Sequence, residues 1–210
     1  MTAQARPRTP AALIDELADR IAATRPGQRL RVAIDGAPAA EPDALADALI
    51  DPVRVRGRDA RVIRTDDFLR PASLRLELGR TNPDSFYERW LDDSGLRREV
   101  LSRLGPDGDG EILPTLWDAH TDRATRAAYQ PVPAGGVVLV SGALLLGGLP
   151  FDLTIHLALS AAALARRTAP DQQWTLPAYA RYEAEVGPDH IADVVVRADD
   201  PRHPAIMYPA

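Results

Sequence analysis

Short apolar segments alternate with segments of helical spacing along most of the chain. Residues 30–34, 137–140, 153–159 and 192–196 are apolar and rich in β-branched side chains, which predicts buried parallel strands. A further strand is predicted over 59–65, and residues 111–117 predict a strand outside the main sheet. Because these segments are too short for core helices, we expect them to form the sheet of a mixed α/β protein.

Helices are predicted between these strands. Thr9 and Pro10, followed by Leu13, Leu17 and Ile21, are typical of a capped amphipathic helix with proline in its first turn. Pro42 likewise suits the first turn of a helix that runs to about residue 50. Further helices are predicted over residues 71–78, 94–104, 161–167 and 177–185. Residues 80–87 predict a loop that leads into a short helix.

This alternation predicts a three-layer α/β/α domain with a mostly parallel sheet and helices on both faces. We expect one domain over residues 1–210, with its core at about 10–200 and an irregular, proline-containing tail at 200–210. Ligands of such sheets bind beyond the carboxyl ends of the strands. The loops that follow Ile34, Thr65 and Val140 are therefore expected to line one cleft.

Composition excludes several classes of function. The 210 residues carry a formal net charge of −5, and the basic residues are all arginines scattered along the chain, which argues against a nucleic-acid partner. No apolar stretch reaches about 18 residues, so we expect no membrane segment. No signal peptide is recognised, and a cytoplasmic protein is expected. Without cysteine, neither disulfides nor thiol chemistry is available.

The segment after the first buried strand resembles a degenerate phosphate-binding loop. On the template G-x-x-x-x-G-K-[ST], Gly36 keeps the first glycine, whereas Glu41, Pro42 and Asp43 replace the second glycine, the lysine and the hydroxyl residue. A working loop directs backbone N–H groups and an ammonium at phosphate, and its hydroxyl binds Mg²⁺. Proline has no N–H, the chain contains no lysine, and two carboxylates replace neutral groups. The sequence therefore predicts that tight ATP binding in the usual mode is lost.

Several further segments, in order along residues 28–200, resemble the uridine kinase-like branch of the P-loop nucleoside kinases, which lies near bacterial pantothenate kinase. They are residues 31–36, the D-x-F-like segment 65–71, the nucleoside-holding segment 82–87, the Y/F-D-x-x-T-like segment 117–122, the strand-to-glycine turn 138–142 and the last strand 192–196. The resemblance implies the P-loop kinase fold.

For individual residues, the resemblance implies that Asp66 acts as the base toward a substrate hydroxyl and that Asp118 contacts substrate. It places Trp117 over a nucleobase and Asp84 in the nucleoside-holding segment. Three departures stand out, since Thr81 replaces an expected aspartate, only Arg166 and Arg167 remain of the lid arginines, and residues 185–187 are not basic.

Other polar groups have more than one interpretation. Asp66 and Asp67 are either solvated loop carboxylates or an acid/base pair with separated pKa values. Asp118, His120 and Asp122 are nonspecific as metal ligands, and no metal is predicted; they suit a ligand-binding loop better. The arginines at 54, 56, 58, 61 and 64 favour a solvated connection over an anion site.

These observations lead to four alternative hypotheses about function. The first is a uridine kinase-like protein that has lost efficient phosphoryl transfer and keeps its cleft for a small ligand. The others are an active small-molecule kinase with an atypical ATP site, a repurposed enzyme that uses Asp66 and Asp67 as acid and base, and a non-catalytic partner in a heterodimer. ATP and Mg²⁺ are expected as cofactors only if the kinase is active. A small-molecule ligand is expected, and a homodimer remains open.

Overall fold

The computed structural model describes residues 5–209. Its strands, in chain order, are β1 (Arg6–Pro7), β2 (Leu30–Asp35), β3 (Ala60–Arg64), β4 (Glu111–Ile112), β5 (Trp117–Asp118), β6 (Arg123–Ala124), β7 (Gln130–Pro131), β8 (Val137–Gly142), β9 (Leu153–Ala158), β10 (Val194–Arg197) and β11 (Ala205–Met207). Its α-helices are α1 (Pro10–Ala23), α2 (Pro42–Val55), α3 (Ala72–Arg75), α4 (Pro83–Arg89), α5 (Asp93–Leu96), α6 (Ala161–Arg167), α7 (Leu176–Glu185) and α8 (Pro188–Ile191).

Within residues 5–209, seven strands form the main sheet in the order β1-β11-β10-β9-β2-β8-β3. The five strands from β10 to β3 are parallel, and β11 and β1 add an antiparallel edge. Two small two-stranded sheets, β4 with β7 and β5 with β6, lie outside it. The predicted parallel sheet is confirmed. The single strand predicted over 111–117 is wrong, since residues 111–112 and 117–118 belong to two separate small sheets, although both lie outside the main sheet as expected.

Helices cover both faces of the sheet. One hydrophobic cluster joins α1 and α2 to one face through residues such as Leu17, Leu49 and Ile155. A second cluster joins the other face to α5 and α7 through residues such as Leu96, Val140 and Tyr182. The three-layer α/β/α architecture predicted from the sequence is therefore confirmed. Among residues 5–209, no helix is both long enough and apolar enough to cross a bilayer.

Local signals placed the first two helices correctly. The Thr9 hydroxyl accepts a hydrogen bond from the Ala12 N–H at 3.2 Å, and this cap sets the start of α1. Pro42 occupies the first turn of α2 as expected, but the helix continues past residue 50 to Val55 despite Pro52. Leu49 and Val53 continue the buried face and account for the extra turn.

Three further local predictions need correction. Only Ala72–Arg75 is helical within 71–78, and the helix predicted over 94–104 divides into α5 and a π-helical turn at Arg97–Leu101. The tail predicted to be irregular contains β11, which pairs with β10 at the sheet edge. Its prolines, at 201, 204 and 209, flank the three paired residues, so they do not interrupt the ladder.

Candidate functional site

The carboxyl ends of β2, β3 and β8 meet in one cleft of about 790 Å³. The parallel register that pairs Asp35 with Gly142 brings the ends of β2 and β8 side by side. The lining of the cleft includes residues from all three loops. They are Gly36, Glu41, Pro42 and Asp43 from the degenerate loop, Thr65 and Asp66 after β3, and residues 142–149 at and after the end of β8. The expectation that these three loops share a cleft is confirmed.

Two glycines allow the close approach of these loops. A Cβ on Gly36 would lie 2.9 Å from the Cβ of Leu157, so the loop can pass β9 only without a side chain at this position. Gly142 has a φ of +149°, and a Cβ there would overlap Thr65. At both glycines, neighbouring residues therefore already fill the space that a side chain would need.

The loop between β2 and α2 folds onto itself. Residues Pro38–Ala40 form a 3₁₀ turn, in which the Ala40 N–H donates to the Ala37 carbonyl at 2.7 Å and the Glu41 N–H donates to the Pro38 carbonyl at 3.0 Å. Glu41 adopts left-handed backbone angles, φ 61° and ψ 49°, which favour glycine. The chain thus keeps a glycine-type conformation at the second glycine position of the template while placing a carboxylate there.

Asp43 is directed at the end of the neighbouring strand. Its Oδ1 accepts a hydrogen bond from the hydroxyl of Ser141, which is fully buried near the end of β8. The residue at the template's hydroxyl position is therefore an acceptor already bound to a protein donor. Its carboxylate also lies close enough to Asp66 to affect the ionisation of that group.

The pKa values of Asp66 and Asp67 are both raised. For Asp66, the surrounding protein removes water from a carboxyl group that still opens into the cleft, and the charges of Asp43 and Asp67 add to the shift. For Asp67, desolvation is again the main cause, and a hydrogen bond from Thr115 opposes it. Asp67 is absent from the cleft lining, whereas Asp43 shares the cleft with Asp66 and is close enough to raise its pKa.

An aromatic wall faces these carboxylates. Phe86 and Trp90 of the α4 region line the cleft, with their rings edge-to-face and 5.2 Å apart between centroids. Trp174 packs against both rings from the 3₁₀ turn Pro170–Thr175. The sequence assigned ligand contact to Trp117, whereas Trp90 is the tryptophan that lines this cleft.

The polar groups of residues 117–122, the segment that carries Trp117, form hydrogen bonds with one another. The Asp118 carboxylate accepts bonds from the Thr121 hydroxyl at 2.7 Å and from the N–H groups of His120 and Thr121, and these bonds lower its pKa. The Trp117 indole donates to Asp122 at 3.0 Å. His120 is exposed, and none of these residues lines the cleft.

The remaining predicted site residues also lie outside the cleft lining. Thr81 is exposed just before α4, and Asp84 pairs with Arg181 at 3.2 Å. Arg167 donates to the carbonyl of Ala198 at 2.8 Å beyond the end of β10, and Arg166 is exposed. The structure thus unites the degenerate loop with Asp66 but does not bring these residues to it.

Sequence reasoning missed a buried polar group beside the cleft. Asp35 is fully buried; its Oδ2 lies 2.6 Å from His156 Nδ1 and accepts from the Tyr182 hydroxyl at 3.1 Å, while its Oδ1 accepts from the Leu145 N–H at 2.9 Å. Burial and the Asp35 charge raise the pKa of Tyr182. The one local signal that could have pointed to Asp35 was its position directly after the apolar segment 30–34.

Neither a protein-family model nor the sequence of a curated protein matches the chain. Solved structures do resemble it. A "possible uridine kinase" from Bacillus stearothermophilus superposes with a TM-score of 0.69 at 21% identity, over 87% of this chain and 96% of that one. A "putative fructose transport system kinase" from Silicibacter sp. TM1040 gives a TM-score of 0.61 at 22% identity, over 85% and 96%.

A third similar structure, the YGR205w protein, gives a TM-score of 0.51 at 12% identity, over 86% of this chain and 79% of that one. At these identities the likeness concerns the fold. The resemblance drawn from the sequence is confirmed at that level, and the chain shares the three-layer α/β/α fold of the possible uridine kinase from Bacillus stearothermophilus.

Proposed function

We propose that the chain is a uridine kinase-like protein that has lost efficient ATP-dependent phosphoryl transfer and that keeps its cleft to bind or process a small ligand. The observation that carries the proposal is that polar groups of the loop are already hydrogen-bonded within the protein. The N–H groups of Ala40 and Glu41 donate inside the loop, Pro42 has none to donate, and Asp43 is bound to Ser141. Ala40, Glu41 and Pro42 therefore offer no free N–H to a phosphate at this helix terminus.

ATP and Mg²⁺ fit these residues poorly. Two unit charges about 4 Å apart repel by about 4 kcal/mol at an effective dielectric constant near 20, so a phosphate beside Glu41 or Asp43 would be strongly disfavoured. No lysine exists to offset that charge. Within residues 5–209, no group of three or more histidine, aspartate or glutamate side chains converges as a metal site. The proposal therefore includes no step that depends on ATP or Mg²⁺.

Titration calorimetry with ATP and Mg²⁺ tests this proposal. We expect no binding up to about 1 mM, because the carboxylates repel the triphosphate and Ala40, Glu41 and Pro42 have no free N–H to offer it. The triple variant Glu41→Gly, Pro42→Lys, Asp43→Ser restores the template and is expected to bind ATP at least about tenfold more tightly. A matched control, Asp51→Ser on the exposed face of the same helix, removes one charge and should leave ATP affinity unchanged. Micromolar binding of ATP by the natural chain would refute the proposal and favour an active kinase.

A second candidate function is acid/base chemistry on an unphosphorylated ligand. It is favoured by the raised pKa of Asp66, a carboxyl group that opens into the cleft near a second carboxylate. The proposed pair is Asp66 with Asp43 instead of Asp67, since Asp43 lines the same cleft. Two carboxyl groups in one cleft can divide the roles of proton donor and proton acceptor between them.

Carboxyl ¹³C NMR measures this coupling without a known substrate. Asp43→Asn should lower the pKa of Asp66, because loss of a nearby negative charge makes ionisation easier. Asp51→Asn, on the exposed face of the same helix, is the matched control and should not change it. Since the folded state raises this pKa, protonation of Asp66 stabilises the fold at low pH, and that contribution is lost as pH rises through the raised value. An unchanged pKa in Asp43→Asn would contradict the proposed pair.

A further inference from the structure

A second cavity, of about 700 Å³, lies at the end of β9 and is bordered by α6, α7 and α8. It adjoins the cleft that contains the degenerate loop, and the two linings share Gly36, Leu144 and Tyr182. Protein interiors otherwise contain few voids larger than a water molecule. Since sites for small molecules measure about 300–1,000 Å³, this space has the size of a binding site and not of a packing defect.

Two helices turn apolar faces toward the cavity. Each contributes three residues at positions i, i+3 and i+4, which share one face of a helix. They are Ala161, Leu164 and Ala165 of α6 and Leu176, Tyr179 and Ala180 of α7. Such faces normally pack against other side chains, but Leu164 and Leu176 are only half-buried. The two helices therefore border apolar space that they do not fill themselves.

The sheet adds a third apolar surface. Leu157 and Ala158, the last residues of β9, are buried and line the cavity, and Leu159 follows them half-buried. Hydrocarbon thus faces the cavity from the sheet as well as from both helices. Transfer of an apolar molecule from water into such a space is favourable.

Polar side chains in the lining are engaged by other protein groups. Asp35 orients the His156 ring through a contact of 2.6 Å between Oδ2 and Nδ1. The Tyr182 hydroxyl donates to Asp35 at 3.1 Å and accepts from the Leu146 N–H at 2.9 Å. These contacts belong to the buried network of Asp35, so the Tyr182 hydroxyl is not free to anchor a polar ligand.

Charged groups in the lining are likewise poor anchors. The Arg197 guanidinium lies 3.3 Å from Asp189 Oδ2, so these two charges compensate each other. Asp189 Oδ1 is shielded from solvent and is closed to a ligand. Glu183 is exposed to water. A charged group that entered the aliphatic part of the cavity would therefore lose its water without gaining a counter-ion, which is costly.

We propose that this cavity binds a compact, neutral and largely hydrocarbon molecule, of the class of alicyclic or aromatic alcohols and ketones. The apolar faces of α6 and α7 and the end of β9 hold the molecule by contact and not by an ion pair. The site is separate from the carboxylates of the degenerate loop. It does not depend on whether the chain transfers phosphate.

Titration calorimetry of the full-length protein with one ring in four chemical forms tests the class of ligand. Cyclohexylmethanol is neutral, cyclohexylmethylamine is cationic, cyclohexanecarboxylate is anionic, and myo-inositol is a neutral ring covered with hydroxyl groups. We expect cyclohexylmethanol to bind at least about tenfold more tightly than each of the other three, because it alone avoids a large loss of hydration. Menthol, camphor and indole extend the series to other neutral shapes. Absence of binding by all the neutral apolar probes, or equal binding of either charged analogue, would overturn the proposal.

Methyl NMR locates the bound probe. The methyl resonances of Leu164 and Leu176 should shift when cyclohexylmethanol is added. Those of Leu74 and Leu78, which are exposed leucines outside the cavity lining, are the controls and should not shift. Equal shifts in both pairs would indicate unspecific adhesion to apolar surface and would overturn the site.

Two helix α6 variants provide a matched comparison. Ala165→Phe fills part of the cavity and should weaken binding of cyclohexylmethanol at least about tenfold, because the ring competes for the same space. Ala162→Phe makes the same change at an exposed position of α6 outside the lining and should alter affinity less than about threefold. Leu164→Gln places an amide in the apolar wall and should also weaken binding, which keeps the test open if Ala165→Phe disturbs the fold. Circular dichroism reports whether each variant is folded. Unchanged affinity in folded Ala165→Phe or in folded Leu164→Gln would overturn the proposal.

A nucleoside probe separates this site from a nucleobase pocket. Tighter binding of adenosine than of any neutral apolar probe would assign the cavity to a nucleobase and overturn the proposal. None of these probes carries a phosphate, so their failure to bind is distinguishable from ATP binding at the degenerate loop. Failure here leaves the proposed function to its own test.

Discussion

Replacement of Asp35 by alanine is expected to lower the free energy of unfolding by about 3–5 kcal/mol at neutral pH. The carboxylate is fully buried and is the shared partner of the His156 imidazole, the Tyr182 hydroxyl and the Leu145 N–H. Its removal leaves the Tyr182 O–H, the Leu145 N–H and His156 Nδ1 without this acceptor in the interior and opens a small void. Each unsatisfied buried group costs about 1–3 kcal/mol, although the costs are not strictly additive.

Urea unfolding followed by circular dichroism measures this loss. Asp51→Ala is the matched control, since that side chain is 90% exposed and its loss should cost less than about 0.5 kcal/mol. Asp35→Asn keeps the shape of the side chain but replaces one acceptor with a donor, and we expect an intermediate loss. A change below about 1 kcal/mol in Asp35→Ala would mean that the buried contacts contribute little to stability. The same result would weaken the argument that Asp35 orients His156.

Replacement of Arg58 by alanine is expected to cost about 3–4 kcal/mol, because its guanidinium joins three separate segments. It is 7% exposed and donates to the carbonyls of Ile21 and Thr24 at the end of α1, of Gln28 before β2, and of Gly135 before β8. Three of these distances are 2.6–2.7 Å and the fourth is 3.0 Å. Burial lowers the pKa of Arg58.

Arg58→Lys should recover less than half of that loss, since an ammonium has three protons on one atom and cannot span acceptors arranged around a planar fork. Arg202→Ala, at a side chain that is 86% exposed, is the control and should be nearly neutral. Thermal and urea unfolding of the three variants compare these effects. Full recovery in Arg58→Lys would show that charge alone, and not the fork geometry, is what matters. The sequence favoured a solvated position for Arg58, and this prediction is wrong because the side chain is buried.

Much of the fold follows from local pattern. The apolar segment at β2, the cap at Thr9 and the proline that begins α2 are read from neighbouring residues, because strand burial and helix capping depend on side chains a few positions apart. Parallel strands then place the loops after β2, β3 and β8 at one edge, which is why the cleft could be predicted. The edge strand β11 could not, since only three residues pair and prolines flank them.

By itself, the sequence determined the layered fold and the chemical content of the degenerate loop, where proline and carboxylates stand in place of glycine, lysine and a hydroxyl. The tertiary structure decided which partner each polar group meets. Asp43 contacts Ser141 98 positions away, and Asp35 contacts His156 121 positions away. Such pairs leave no periodic signal, because strand order and register bring them together only after the whole sheet has formed.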